Sequence, residues 1–157
     1  MGIVKLIVSV VACLLAGFIG SLFTAPAIPA WYSGLVKPPF NPPSWIFAPV
    51  WTTLYILMAI AAFLIWQKGL DKGGVKAALA LFALQLVLNA VWSILFFGLR
   101  SPLAGLADIL ALLAVLILTI ISFFNISKIA GALLLPYLFW VSFATVLNFS
   151  IFILNLK

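Results

Sequence analysis

Five apolar stretches, each long enough to cross a bilayer, occupy almost the whole of this 157-residue chain. They fall at 3–25, 44–67, 76–99, 102–124 and 128–155. A helical crossing needs ~20 apolar residues at a rise of ~1.5 Å each. In hydrocarbon every backbone polar group must find its partner within the protein, so helices are the economical solution. With 68% hydrophobic and 6% charged residues, little remains for a water-soluble module. The predicted fold is therefore an all-α integral membrane protein, a single five-helix bundle.

One connection stands apart. Residues 26–43 hold Pro26, Pro29, Pro38, Pro39, Pro42 and Pro43, together with Trp31, Tyr32 and Phe40. Proline fixes φ and restricts the residue before it, which predicts a stiff cover rather than a floppy tether. Ser44 is the expected cap of the second span. Ser101 followed by Pro102 predicts a sharp start to the fourth span, and Pro136 a kink in the fifth.

The net charge of +6 comes from few groups. Lys5, Lys68, Lys72, Lys76 and Lys128 fall on one side of the bundle, and Lys37, Arg100 and Lys157 on the other. This asymmetry predicts a cytoplasmic N-terminus in a prokaryotic cell membrane. Basic residues set between spans fit topology and lipid-headgroup contact, not nucleic acid. With no histidine, one cysteine and two acids, a protein-only metal site is not expected.

Polar groups inside the spans carry the information about function. Gln85, Asn89, Trp92, Ser93 and Phe96 recur at spacings of three and four, one helical face that should point into the bundle. Trp51, Tyr55 and Met58 share a face of the second span; Trp140, Ala144, Leu147 and Asn148 share a face of the fifth. Flat aromatic walls beside a small residue such as Ala144 suit a planar apolar ligand. Asp108, a carboxylate within the fourth span, is a further candidate. Gly17, Gly20 and Ser21, and the series Ala104, Ala107, Ala111 and Ala114, permit close helix approach within the chain.

Three stretches resemble a known family. Trp31-Tyr32-Ser33-Gly34-Leu35-Val36-Lys37-Pro38-Pro39-Phe40-Asn41-Pro42-Pro43, continuing to Val50-Trp51-Thr52-Thr53-Leu54-Tyr55, is similar to the hallmark of the translocator proteins, also called tryptophan-rich sensory proteins or peripheral-type benzodiazepine receptors. Asn89 to Gly98 resembles the family's third-helix motif, and Leu135 to Thr145 its fifth-helix motif. The resemblance covers nearly the full chain, in order. It implies a pocket in the bundle, closed by the proline-rich loop, that binds porphyrins such as protoporphyrin IX or haem, or other apolar small molecules. By motif, Trp51 and Trp140 line it, with Tyr55, Asn89, Trp92 and Ala144 around them and Tyr32 and Pro42 contributed by the loop. Phe47 and Asp108 complete the candidate set.

A ring held between the two indoles, with Lys37 and Arg100 near its propionates, is the expected arrangement. The resemblance also implies a homodimer. It leaves two alternatives to a receptor or sensor: an enzyme degrading porphyrin with light and oxygen, with Trp51 and Trp140 assisting, and a tetrapyrrole or sterol transporter. The sterol motif of animal members, a tyrosine followed closely by a basic residue late in the fifth span, has no counterpart here, since Tyr137 is the last tyrosine and Lys157 the next basic residue. No resident cofactor is expected.

Overall fold

A computed structural model describes residues 1–156. The elements are α1 (Gly2–Ala30), a single 3₁₀ turn at Tyr32–Gly34, another at Ser44–Ile46, α2 (Phe47–Gln67), α3 (Val75–Ser93) running into a π-helical turn (Ile94–Gly98), α4 (Pro102–Ile126), α5 (Lys128–Leu133) and α6 (Leu135–Leu154). Together they make five apolar crossings, with α5 and α6 forming the fifth, and there is no strand among the described residues. Around the bundle α1 packs on α2 and α3, α4 on α3 and α6, and α5 on α2.

The first crossing is longer than the proline content predicts. α1 runs through Pro26 and Pro29 to Ala30, so the connecting loop begins at Trp31 and not at residue 26. Each proline removes only its own N–H donor, and helices embedded in a membrane protein tolerate that loss. The helix closes with the Trp31 N–H donating to the Ala27 carbonyl at 2.9 Å. Ser44 is not a cap either: it opens a 3₁₀ turn, makes no capping bond, and α2 begins at Phe47. Ser101 does cap α4, accepting from the Ala104 N–H at 3.2 Å, with Pro102 in the first turn.

Pro136 shapes the bundle. The fifth crossing is interrupted at Leu134, where the Leu134 N–H turns back to the Gly131 carbonyl, and Pro136 sits in the first turn of α6. α5 lies along α2, whereas α6 touches it only lightly. The wedge left between α2 and α6 lies in the half of the bundle beneath the proline-rich loop. A second irregularity is the π-helical turn, where the Leu99 N–H reaches Ile94 O at 2.8 Å. The extra residue lets the consecutive Phe96 and Phe97 both face inward, with ring centroids 4.8 Å apart. Arg100, at φ +52°, ends the turn in the left-handed region.

Two glycines permit close approaches around the loop-side half of the bundle. A Cβ on Gly17 would come within 2.6 Å of the Tyr55 ring, and one on Gly105 within 2.9 Å of Phe96 and 3.1 Å of Asn148 Oδ1. The alanine series of α4 does not pack within the chain as expected. Ala107, Ala111 and Ala114 are exposed, and the inward face is Gly105, Asp108, Ile109, Leu112 and Leu116. On the opposite end of the bundle, the Lys5 ammonium donates to the Trp66 carbonyl at 3.1 Å, placing the N-terminus beside the end of α2. Lys157, counted with the charges on the loop side, lies outside the described residues.

The glycine contacts predict a contrast measurable by thermal unfolding in detergent. Gly105→Val overfills a packed crossing and should destabilise by about 1–3 kcal/mol. Gly34→Ala, whose Cβ would meet nothing within 4 Å, should stay within about 0.5 kcal/mol of wild type.

Candidate functional site: an aromatic cavity beneath the loop

A cavity of about 490 Å³ fills the wedge between α1, α2, α3 and α6. Its size lies within the range of small-molecule sites, ~300–1,000 Å³. Trp51 and Trp140 form a corner: their centroids are 6.4 Å apart and their planes 89° to one another. Tyr55 stacks on Trp51 at 5.6 Å, and Phe47 meets the Trp140 ring edge-on at 6.0 Å. The indoles therefore touch each other. They do not stand as two parallel walls with a ring-sized gap, the arrangement expected from sequence.

The floor is polar and linked by side-chain hydrogen bonds. The Tyr55 hydroxyl donates to Asn89 Oδ1 at 2.5 Å, and Asn89 Nδ2 donates to the Tyr137 hydroxyl at 2.7 Å. One amide thus links α2, α3 and α6. A second chain runs along the far wall, from Trp92 Nε1 to Asn148 Oδ1 at 3.0 Å and from Asn148 Nδ2 to the Pro102 carbonyl at 2.8 Å. Buried polar atoms left without partners are Gln85 Oε1, Asp108 Oδ2 and Trp140 Nε1.

The roof is Tyr32, wedged beside Phe96 and Phe97 at centroid distances of 6.4 and 5.7 Å. Its hydroxyl donates to Asn41 Oδ1 at 2.7 Å, and the Lys37 ammonium lies 5.0 Å from its ring centroid. Asn155, at the end of α6, clasps the loop by accepting from the Val36 N–H at 3.1 Å and donating to the Val36 carbonyl at 2.9 Å. Burial pushes the Tyr32 phenol up to about 12, the Asn41 amide acting the other way.

Of the candidate residues, Tyr32, Phe47, Trp51, Tyr55, Asn89, Trp92, Trp140 and Ala144 all line this cavity. Pro42 and Asp108 do not. Pro42 lies on the loop outside the lining, and Asp108 is buried on α4, which contributes nothing to the cavity wall. Lys37 and Arg100 are absent from the lining too. Lys37 is turned onto the Ser33 and Leu35 carbonyls, and Arg100 borders a separate hollow with Trp31 and Phe152. Sequence reasoning missed the α1 wall, which includes Gly20, Ser21 and Thr24. The signal was the Gly17–Gly20 pair, read only as packing.

No acid, base or cation lines the cavity among the described residues. Such a surface offers no conventional acid–base pair with which to transfer protons. The fold and site define a multi-pass membrane protein with an aromatic cavity in its helix bundle. The TspO/MBR family profile matches residues 9–154. The chain is 51% identical over 156 residues to the tryptophan-rich protein TspO of Archaeoglobus fulgidus, spanning 99% of each chain. It is 41% identical over 137 residues to the translocator protein of Bos taurus, covering 86% of this chain and 80% of the relative. It is also 41% identical over 125 residues to the tryptophan-rich sensory protein of Cereibacter sphaeroides, covering 80% and 77%. The chain belongs to the TspO/MBR family.

Two predictions follow from the paired polar groups. Asn89→Ala strands two buried hydroxyls and should destabilise by about 1–3 kcal/mol in detergent unfolding. Tyr32, whose folded phenol is raised above its ordinary value of 10.0 to about 12, favours the folded state while neutral. That contribution is complete below pH 10 and is lost between pH 10 and about 12. Protease sensitivity of the loop should accordingly rise over that window in wild type, and the rise should be smaller in Tyr32→Phe.

Proposed function

We propose that this protein is a membrane receptor or sensor that binds planar apolar ligands of the porphyrin class in the cavity beneath the proline-rich loop. The observation that carries this reading is the corner made by Trp51 and Trp140. Two indole faces at right angles, backed by Tyr55 and Phe47, offer a large rigid apolar surface beside the small Ala144. A planar ring would lie flat on one indole and meet the edge of the other, the offset geometry aromatic groups favour. It would not be sandwiched, because the indoles already touch.

Two further features support the reading. Trp140 Nε1 has no partner within the protein and could donate to a ring nitrogen or a ligand carbonyl after a small shift. The uncharged lining matches a macrocycle body. Carboxylates on such a ligand would be stranded inside it, so they should project toward the loop, where Lys37 sits against the outer face of Tyr32. With no histidine in the chain, ring stacking rather than axial ligation of iron would hold a haem.

The test is tryptophan quenching by protoporphyrin IX in detergent. Trp51→Ala combined with Trp140→Ala should weaken binding by about 10–100-fold, the loss of two buried aromatic anchors. Affinity unchanged in the double variant would count against this cavity as the porphyrin site.

A further inference from the structure

The cavity is plugged by Tyr32 at its loop end, where Ser44 is its exposed lining residue, and most of its exposed rim lies between α1 and α2. Tyr32 is 4% exposed and plugs the loop side. Its hydroxyl is fixed to Asn41, and the loop that carries it is clasped at Val36 by Asn155. The other boundary, between α1 and α2, is different. There Phe18, Ser21 and Ala25 of α1 and Ala48 and Thr52 of α2 both border the cavity and are exposed on the protein surface. Phe18 is 60% exposed. One turn deeper, the tight contact of Gly17 with Tyr55 shuts the seam.

The chemistry of this rim is that of a surface built to meet acyl chains. Its hydroxyls are turned back on their own helices: Ser21 Oγ donates to the Phe18 carbonyl at 2.7 Å and Thr52 Oγ1 to the Ala48 carbonyl at 2.8 Å. Thr24, just inside, does the same with the Gly20 carbonyl at 3.0 Å. An opening into hydrocarbon should carry no unmet donor, and each of these three hydroxyls donates to a carbonyl of its own helix. Ala25 and Ala48 are small, so no bulky side chain from these two positions fills the rim.

We infer that the cavity loads and empties sideways, through a slot between the loop-side halves of α1 and α2, and that its ligand is a flat amphiphile already dissolved in the bilayer. The inference rests on the ligand reading above. The slot admits the apolar body from the acyl-chain region, while the polar edge of the ligand stays at the depth of the loop. The loop need not open for exchange. The slot residues act on the rate of exchange, and the loop clasp does not.

Stopped-flow quenching of tryptophan by protoporphyrin IX, with the protein in phosphatidylcholine nanodiscs, tests this. Thr52→Phe and Ser21→Phe each place a bulky apolar group in the slot on a lipid-exposed position. Both association and dissociation should slow together, by about tenfold or more, as expected for a gate rather than a binding contact. Asn155→Ala, which releases the loop, should leave the association rate at the wild-type value. Faster association in Asn155→Ala with unchanged rates in both slot variants would overturn the inference. So would weaker affinity with an unchanged association rate, since that makes the slot residues part of the binding surface.

A second arm does not depend on porphyrin. Phospholipids with brominated acyl chains quench tryptophan on contact, and chains that dip into an open slot reach the cavity indoles. Quenching should be weaker in Thr52→Phe than in wild type; equal quenching would overturn the slot. Absence of any saturable porphyrin quenching in wild type would reject the ligand reading, and the brominated-lipid comparison would still decide the slot.

Discussion

A single carboxamide within the third crossing holds the cavity together. Asn89 accepts a hydrogen bond from the Tyr55 hydroxyl and donates one to the Tyr137 hydroxyl, so α2, α3 and α6 are tied at one level. In water such bonds contribute little, because water replaces them. Within a membrane-embedded core the stranded alternative is costly, so the pairing fixes geometry as well as stability. Above that tie the helices diverge, and the space between them is the cavity. Below it the bundle is solid, packed around Met58, Ile65, Leu116 and Phe123.

The divergence has its own cause in Pro136. An unbroken fifth helix would run parallel to α2 along its length, as α5 does. The break at Leu134 redirects α6, and Trp140 and Ala144 then face the space that opens. The π-helical turn contributes from the other wall by turning two consecutive phenylalanines inward against Trp92 and Tyr32. Two local departures from α-helical geometry thus shape one half of the bundle, whereas regular helix packing fills the other.

Much of this was legible in the sequence because lipid makes periodicity informative. The stripe from Gln85 through Asn89 and Trp92 to Phe96 faces inward as its spacing predicts, since polar and aromatic N–H groups cannot be left toward acyl chains. Ser101–Pro102 gave the start of α4 for a local reason, a capping hydroxyl ahead of a residue without an N–H. Failures came where context overrides local preference. Pro26 and Pro29 were read as a loop, but a helix already propagating loses only one bond at each. Asp108 was a candidate because it is a carboxylate within a span; it is buried on α4, which contributes no residue to the cavity lining. The Asn155 clasp was invisible, because it joins residues 119 apart through backbone atoms of Val36. The π-helical turn has no periodic signature beyond two adjacent phenylalanines.

The proposed receptor or sensor role turns on whether a ligand occupies the uncharged aromatic corner. The most direct measurement is nitrogen-15 NMR of the indole groups, with tryptophan labelled and the protein in nanodiscs. Six indole signals should be present. Protoporphyrin IX should shift those of Trp51, Trp140 and Trp92, which line the cavity, and leave Trp45 and Trp66, which do not, near their free positions. Shifts confined to Trp45 and Trp66 would place the ligand on the outside of the bundle and contradict the account.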